Sequence, residues 1–312
     1  MQLTRCFFII NPAAGIKNAY ESIGDTLKSA CEQVGIPFEY RLTEYPGHAQ
    51  EIAAEIAGQA TEEKPIRIFS VGGDGTLFEV VNGIVGKPFC ELGCIPCGTG
   101  NDYIKCYGDR SEFLDIAGYI TSEAVPADCI KAGDVVSINI CSLGLDAKIC
   151  DRANFLKSKH KNMPGSKAYD KALVQCFLGK LYNDLKVTID DDQVYEGKYL
   201  FALAASGKCY GGGYNSAPMA EPADGLLDFI LVKSISHPRV LTMIGPYKSG
   251  KYFGMRRFRK IVVHARGKKM RVEAKTPAII NVDGECSRIS DLTIEVMPAA
   301  VRFVVPQSYL KK

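Results

Sequence analysis

The chain has 312 residues, of which 46% are hydrophobic and 23% charged, and its net charge is +3 at pH 7. These values are those of an ordinary globular protein, and at this length two domains are expected. No apolar run approaches the roughly 20 residues that a membrane-spanning helix needs. The apolar stretch near the start runs into Asn11-Pro12, which indicates a first strand and not a signal peptide, so a cytoplasmic location is expected.

The first 125 residues alternate between strand-like and helix-like patterns. The predicted strands are Cys6 to Ile10, Phe38 to Thr43, Ile66 to Val71 and Leu92 to Ile95, and helical spacing occurs from Tyr20 to Val34, from His48 to Ala60 and through Val80, Val81 and Ile84. Such alternation predicts an α/β domain with a parallel, doubly wound sheet. Ligands of these sheets bind at the carboxyl ends of the strands.

After about Ala127 short β-rich runs dominate, interrupted by one helical pattern from Ala168 to Tyr182. The runs are Lys186 to Asp190, Tyr199 to Ala205, Leu226 to Val232, Lys260 to Ala265, Met270 to Ala274, Ala278 to Val282 and Leu292 to Val296. They predict a mostly antiparallel β-sandwich. We therefore expect domains over 1–127 and 128–303, with residues 304–312 packing back on the first domain and an active site in the cleft between the two.

Three loops follow predicted strands of the first domain: 11–15, 72–76 and 98–102. Free backbone N–H groups and the positive end of a helix make a ready site for an anion. One such loop is often only a helix cap, but three in one sheet favour a nucleotide polyphosphate. Neither the P-loop sequence nor the dinucleotide fingerprint is present.

The segments that contain these loops carry a resemblance. NPAAG, GGDGTLFEVVNGI and IPCGTGNDY resemble, in that order and spacing, the diacylglycerol kinase catalytic domain, a family similar to sphingosine and ceramide kinases. The resemblance continues in SLGLDAKI, CYGGGYNSAPMAEPADGLLDF and NVDGE, so it covers nearly the whole chain. It implies a first domain like that of NAD kinases and phosphofructokinases, and Mg²⁺-dependent transfer of phosphate from ATP to the hydroxyl of diacylglycerol.

Three alternatives stay open at this point. The acceptor could be another lipid alcohol, such as a sphingoid base, ceramide or monoacylglycerol. The chain could be an NAD kinase-like enzyme, although the order of its motifs follows the lipid kinases. It could also be a non-catalytic protein that binds nucleotide and lipid.

The resemblance also implies site residues. Those expected to bind the nucleotide are Asn11, Pro12, Ala13, Ala14, Gly15, Thr43, Gly72, Gly73, Asp74, Gly75, Thr76, Glu79, Thr99, Asn101 and Asp102, with Asp74 and Asp102 near its Mg²⁺. Glu285 matches the general base, and Asp283 supports the turn or the cleft. From the residues alone, Asp283-Gly284 indicates a β-turn. Phe78 stands where the family often has Asn, and it is expected to pack on the helix.

A second Mg²⁺ site is implied in the second domain. Its ligands would be the carboxylate of Asp224 and the backbone carbonyls of Glu221 and Leu226, and the alternative is a simple Asp-Gly turn before a strand. Four cysteines have metal-like spacing: Cys90, Cys94, Cys97 and Cys106. A zinc site there is the minor alternative, because residues three apart in a strand point to opposite faces. The irregular spacing of all twelve cysteines favours reduced thiols.

Positive charge is concentrated between Phe229 and Val272, where twelve Lys or Arg residues occur without any Asp or Glu. A lipid kinase must reach a membrane, and each basic side chain near an anionic leaflet contributes about 1 kcal/mol. The expected membrane-facing residues are Arg256, Arg257, Arg259, Lys260, Lys268 and Lys269, with Met255 and Phe258 entering the interface. The alternative is a solvated face, or one that pairs with acidic residues of the first domain. No nucleic-acid-binding motif accompanies the charge, and a homodimer stays open.

Overall fold

The computed structural model describes residues 5–15, 19–160, 163 and 165–311. Residues 1–4, 16–18, 161, 162, 164 and 312 lie outside this part. The described helices are α1 (Ala19–Val34), α2 (His48–Ala57), α3 (Asp74–Ile84), α4 (Ile116–Ile120), α5 (Leu145–Lys159), α6 (Gly165–Phe177) and α7 (His237–Lys248). The described strands are β1 (Arg5–Ile10), β2 (Phe38–Leu42), β3 (Ile66–Gly72), β4 (Cys90–Pro96), β5 (Ala124–Ala132), β6 (Val135–Ser137), β7 (Ile140–Gly144), β8 (Asn183–Ile189), β9 (Gln193–Ala205), β10 (Leu227–Lys233), β11 (Val262–Gly267), β12 (Lys269–Val282) and β13 (Glu285–Val304).

The first half contains the predicted parallel sheet. Its strands lie in the order β4-β3-β1-β2, and all three pairings are parallel. Every residue of β3 and β4 is buried, as expected for strands covered on both faces. Because the strands are parallel, the loops after β1, β3 and β4 leave the sheet at the same edge.

The second half is antiparallel, and one strand joins it to the first half. The 20-residue strand β13 pairs with β12 and β5, and near its end it runs parallel to β4. The division predicted after Ala127 falls inside β5, so the chain passes between the halves through hydrogen-bonded strands. After β13, the amide of Val305 donates to the carbonyl of Glu123, and the ring of Tyr309 lies 5.2 Å from that of Tyr107.

Three of the differences from the sequence prediction lie in the second half. The runs Met270 to Ala274 and Ala278 to Val282 form one strand, β12, whose register shifts between them. Helices α5 and α7 were not predicted. Helix α7 contains Pro246 as well as a proline in its first turn, and proline inside a helix normally argues against one. Both helices form because they bury an apolar face against the second core cluster.

Candidate functional site

A cavity of about 1050 Å³ lies at the carboxyl edge of the parallel sheet. Its lining includes the loops after β1, β3 and β4, one face of α5 and the turn between β12 and β13. The predicted nucleotide-binding residues that line it are Asn11, Pro12, Ala13, Ala14, Gly15, Thr43, Gly73, Asp74, Gly75, Thr76, Glu79 and Thr99. Gly72, Asn101 and Asp102 lie behind this surface. The candidate general base Glu285 and Asp283 line the same cavity from the opposite side.

The glycines of the loops after β3 and β4 differ in how much space a side chain would have. A Cβ at Gly72 would lie 2.4 Å from Oγ1 of Thr76. A Cβ at Gly98 would lie 2.5 Å from the Cα of Gly73. The loops after β3 and β4 therefore touch through their backbones. Gly75 is exposed, and apart from its chain neighbours and the backbone of its own helix no described atom lies within 4 Å of a Cβ built there. Its open side leaves the backbone of the loop accessible from the cavity.

Side-chain amides hold the loops together. Asn11 Nδ2 donates to Thr76 Oγ1 at 3.2 Å, and Asn11 Oδ1 accepts from the amide of Ala13. Asn101 Nδ2 donates to the carbonyl of Gly72 at 3.0 Å. Asn101 is buried with φ of 46°, a conformation that Asn tolerates better than most residues. It fixes the third loop on the second.

Asp74 begins α3, where a carboxylate is favoured by the helix dipole. Its Oδ1 accepts from the amide of Asp102 at 2.7 Å. Burial, and then the charge of Asp102, raise the pKa of Asp74. The buried Asp102 carboxylate is itself held by Lys105 Nζ and the amide of Gly212. Asp102 therefore joins the loop after β4 to the second half of the molecule.

The carboxylate of Glu79 is hydrogen-bonded to the backbone, although its side chain lines the cavity. Its two carboxylate oxygens accept from the amides of Gly47 and Ala49 at 2.9 and 3.0 Å. These amides belong to the start of α2, so Glu79 satisfies donors that a helix N-terminus otherwise leaves unpaired. This arrangement fixes the loop that contains Thr43 next to α3.

Asp283 and Gly284 form the two-residue turn of the β12–β13 hairpin. Both have positive φ, 48° and 108°, as a type I′ turn requires. The Asp283 carboxylate accepts from the amides of Ile138, Asn139 and Ile140. Burial raises the pKa of Asp283 to about 6, although these donors oppose the shift. Asp283 thus anchors the turn, as the sequence suggested it could.

Glu285 is the first residue of β13, directly after this turn, and its side chain is exposed at the cavity. The turn is therefore a hairpin, and it also presents a carboxylate to the cleft. A carboxylate in such a place can accept a proton from a bound hydroxyl.

Three lining residues on α5 were missed from the sequence: Cys150, Asn154 and Lys157. Their spacing of four and three residues places them on one helix face. Asn154 Nδ2 donates to the carbonyl of Gly284 at 3.1 Å and so supports the turn before Glu285. The spacing would have indicated this face if a helix had been predicted over SLGLDAKI and the residues after it.

The other face of α5 lines a separate, apolar pocket. It is enclosed by α5, α6, α7 and the loop at Tyr210, with Ile149, Leu173 and Met243 among its walls. Its polar part is Asp146, whose carboxylate accepts from the Tyr210 hydroxyl at 2.7 Å. Burial raises the pKa of Asp146. Cys150, one turn later on α5, lines the first cavity, so the two spaces lie on neighbouring faces of one helix.

The second predicted Mg²⁺ position is arranged differently from the expectation. Asp224 forms an ion pair with Arg266 and accepts from the amide of Leu226 through its other oxygen. The guanidinium of Arg266 thus lies beside the carboxylate to which the resemblance assigns a metal, and the second Mg²⁺ site stays a prediction. The loop is fixed instead by Asp128, which accepts from the amide of Gly225. Within the described residues, no group of three or more His, Cys, Asp or Glu could hold a metal ion, the four spaced cysteines included.

The basic region needs one correction. Phe258 is buried in the second core cluster and so does not enter a membrane interface, and Met255 is partly buried against that cluster. Phe258 is buried because the segment after α7 folds back over the apolar faces of the second half. Lys269 and Arg271 pair with Asp191 and Asp291.

The remaining basic side chains are open to solvent: Arg256, Arg257, Arg259, Lys260 and Lys268 are exposed.

Phe78, the departure from the family pattern, is buried in the third core cluster together with Leu143 and Ile280. Phe78 therefore packs α3 onto the second half, and it was expected to pack.

The family profile described as diacylglycerol kinase catalytic domain matches residues 5–132, and that described as YegS C-terminal NAD kinase beta sandwich-like domain matches residues 139–305. The chain is 26% identical over 296 residues, 93% of both chains, to a Staphylococcus aureus (strain MRSA252) protein provisionally named a lipid kinase.

Two solved structures share the fold. A Bacillus anthracis (strain Sterne) protein, provisionally named a diacylglycerol kinase, has a TM-score of 0.75 and 23% identity, with 99% of both chains covered. An NAD kinase from Archaeoglobus fulgidus in complex with ATP has a TM-score of 0.52 and 14% identity, covering 99% of this chain and 96% of that one. The predicted fold class and the predicted resemblance are confirmed. No helix in the described part of the chain is long and apolar enough to cross a membrane.

Proposed function

Since the chain belongs to the lipid kinase family that joins a diacylglycerol kinase catalytic domain to a YegS-type C-terminal domain, we propose that it transfers the γ-phosphoryl group of ATP to the hydroxyl of diacylglycerol. The product would be phosphatidic acid. One observation carries the proposal: a single cavity is lined by the three glycine-containing loops and by Glu285.

The loops after β1, β3 and β4 would bind the triphosphate. Phosphate binding by backbone amides needs close approach, and Gly75 leaves its side of the loop open. Within the described lining of the cavity, Lys157 is the one basic side chain. Amides, the start of α3 and a bound cation would also offset the charge of the triphosphate.

Asp74 is the residue that we assign to Mg²⁺. Asp74 lies at the start of α3, between the loops after β3 and β4, and its Oδ1 accepts from the amide of Asp102. The carboxylates of Glu79 and Asp283 each accept from at least two backbone amides that belong to other elements. Mg²⁺ keeps several waters and binds few carboxylates when phosphates supply other ligands, so this donor set fits an ion that arrives with ATP. When bound, the ion would neutralise charge on the transferring phosphoryl group.

Glu285 would act as the general base. It would accept the proton of the lipid hydroxyl as that oxygen attacks the γ-phosphorus, while the loops hold the phosphates in line. Asn154 and Asp283 keep the turn before Glu285 in place through Gly284 and the amides of the 138–140 segment.

The apolar pocket on the other face of α5 would hold an acyl chain. Pockets of this kind, apolar with a few polar groups, are typical of sites for small apolar ligands. The loop at Tyr210 and Gly211 lines this pocket, and its neighbour Gly212 donates to Asp102 beside Asp74. A lipid whose chain lies in the pocket would therefore have its head near the phosphates. This pocket favours a lipid acceptor over NAD.

The deciding experiment measures Mg²⁺-dependent transfer of labelled phosphate from ATP to a panel of acceptors in mixed micelles. The panel holds diacylglycerol, monoacylglycerol, sphingosine, ceramide and NAD, and each is tested with wild type and Glu285→Ala. We expect labelled phosphatidic acid, lost in the variant. Label on sphingosine, ceramide or NAD instead would replace the acceptor, and ATP binding without transfer to any acceptor would overturn the kinase proposal.

The exposed basic side chains would contact an anionic membrane. A triple variant should bind phosphatidylglycerol vesicles more weakly, by about fivefold per charge removed. Its substitutions are Arg256→Gln, Arg259→Gln and Lys260→Gln. The matched control is Lys269→Gln with Arg271→Gln, because those two side chains are paired with Asp191 and Asp291. Vesicle sedimentation measures both. Equal losses per charge in the triple and the double variant, or binding that does not depend on salt or on anionic lipid, would contradict a specific contact of this surface.

A further inference from the structure

Two cysteine thiols flank the turn that carries Glu285. Cys150 lies on α5 and Cys286 on β13, directly after Glu285. Sγ of Cys150 lies 3.4 Å, and Sγ of Cys286 3.9 Å, from the same carbonyl oxygen of Gly284. Cys286 Sγ also lies 3.9 Å from the carbonyl of Ala147, one turn before Cys150 on the helix. The two sulfurs therefore share one small volume between α5 and the hairpin.

Cys150 differs from the other cysteines in its electrostatics. All twelve cysteines lie in the described part of the chain and none is in a disulfide. Burial raises the pKa of ten of them, and a hydrogen bond with Cys150, followed by burial, raises that of Cys286. The same hydrogen bond lowers the pKa of Cys150, against the effect of burial. Because the thiolate is the reactive form, this lowering favours reaction at Cys150.

Cys150 can also be reached from solvent, because it lines the large cavity. Cys286 is also half-buried, and it does not belong to the described lining of that cavity. A small oxidant that enters the cleft meets Cys150 first and finds a second thiol next to it. A reactive thiol with a resolving thiol beside it is the usual arrangement of an oxidisable pair.

We propose that Cys150 and Cys286 form an oxidation site for a peroxide, which converts the two thiols to a disulfide between α5 and β13. The Cys150 thiolate attacks one peroxide oxygen, the O–O bond breaks, and the second oxygen leaves as hydroxide, which is protonated to water. The Cys150 sulfenic acid is then attacked by Cys286, an S–S bond forms and a second water leaves. Two thiols and one hydrogen peroxide thus give one disulfide and two waters.

The disulfide would act on the hairpin turn. Both thiols now contact the carbonyl of Gly284, and a covalent bond between their sulfurs would replace these contacts. It would tie α5 to the residue that follows Glu285. The position of the Glu285 carboxylate would then depend on the oxidation state of the pair.

The test treats the full chain with one equivalent of hydrogen peroxide and maps peptides without reduction. We expect a loss of two hydrogen atoms in the intact mass, one cross-linked peptide that contains Cys150 and Cys286, and its disappearance with dithiothreitol. In the Cys286→Ser variant the sulfenic acid at Cys150 has no second thiol to react with, so dimedone should label it. Cys176→Ser is the matched control, since Cys176 is half-buried on α6 and should leave the cross-link unchanged.

A second measurement needs no variant and does not depend on kinase activity. Wild-type protein is alkylated briefly with iodoacetamide, and the labelled positions are ranked by mass spectrometry. Cys150 should be labelled first, and prior treatment with peroxide should protect it. Faster labelling of any other cysteine, or peroxide oxidation without the Cys150–Cys286 cross-link, would overturn the proposal whether or not the chain phosphorylates a lipid.

Discussion

The two walls of the cavity hold their functional groups in different ways. The wall at the ends of β1, β3 and β4 presents backbone, and its shape depends on contacts that only glycine allows, such as those at Gly72 and Gly98. The opposite wall presents side chains, on α5 and after the β12–β13 turn. That wall is held by amides that donate to Asp283 and by Asn154.

This difference separates effects on the fold from effects on the chemistry. In the backbone wall a single added methyl group can disturb packing and binding together, because the protein itself fills the space beside most of the glycines. In the side-chain wall the groups that contact ligand and the groups that position them are separate residues. Substitutions there should change chemistry, anchoring or charge one at a time.

The largest effect is expected at Glu285. Glu285→Gln removes the base but keeps the size of an exposed side chain, so kcat for lipid phosphorylation should fall about 10² to 10⁴-fold. The KM for ATP and the free energy of unfolding should stay close to wild type. Steady-state kinetics and urea unfolding measure these quantities. A variant that loses ATP affinity as much as kcat would show that Glu285 binds the nucleotide and is not a separate base.

The anchor of the same wall should give a pH-dependent effect. Burial raises the pKa of Asp283 from its usual value of 3.8 to about 6, so the folded chain holds a proton that the unfolded chain has lost between about pH 4 and 6. The contribution of Asp283 to stability is therefore greatest below pH 4 and falls by about 3 kcal/mol as pH rises through this window.

Asp283→Asn, which does not titrate, isolates that contribution. The free energy of unfolding of wild type minus that of the variant should fall by about 3 kcal/mol as pH rises from 4 to 7, measured by urea unfolding at several pH values. Other carboxylates cancel because both chains contain them. Parallel pH curves would show that the carboxylate of Asp283 is already ionised across the window.

Local patterns were enough to predict the backbone wall. The loops after β1, β3 and β4 were visible because glycine and polar residues follow buried strands, and parallel strands bring such loops to one edge. Asp283-Gly284 was recognised as a turn for a similar local reason. Its partners were not visible, because the 138–140 amides are about 140 residues away in sequence.

The side-chain wall was harder to predict because its geometry depends on packing. Helix α5 was not predicted, so the shared face of Cys150, Asn154 and Lys157 was missed. The pairing of Asp224 with Arg266 joins residues 42 positions apart, and no local pattern distinguishes it from a metal ligand. Burial of Phe258 likewise depends on how the segment after α7 folds back.

Two glycines that lie three residues apart test the backbone wall directly. Gly72→Ala should lower the free energy of unfolding by about 1–3 kcal/mol, because the new Cβ would overlap Thr76. Gly75→Ala should leave it unchanged or raise it by up to about 1 kcal/mol, since Gly75 lies in α3 and Ala favours helix. Gly75→Ala should nevertheless weaken ATP binding in calorimetry. Wild-type ATP affinity in that variant would mean that no ligand approaches the open side of Gly75.

The smallest effect is expected at Lys157, the cation of the side-chain wall. Its side chain is exposed at the cavity, and in a watery site a charge about 4 Å from phosphate contributes about 1 kcal/mol. Lys157→Gln should therefore weaken ATP binding about fivefold, and the difference from wild type should shrink as salt rises. Lys159→Gln is the matched control, because Lys159 lies two residues on, against the ring of Phe155. Equal effects of the two substitutions would mean that Lys157 acts only through the net charge of the protein. The side-chain wall would then contribute the base but no phosphate contact.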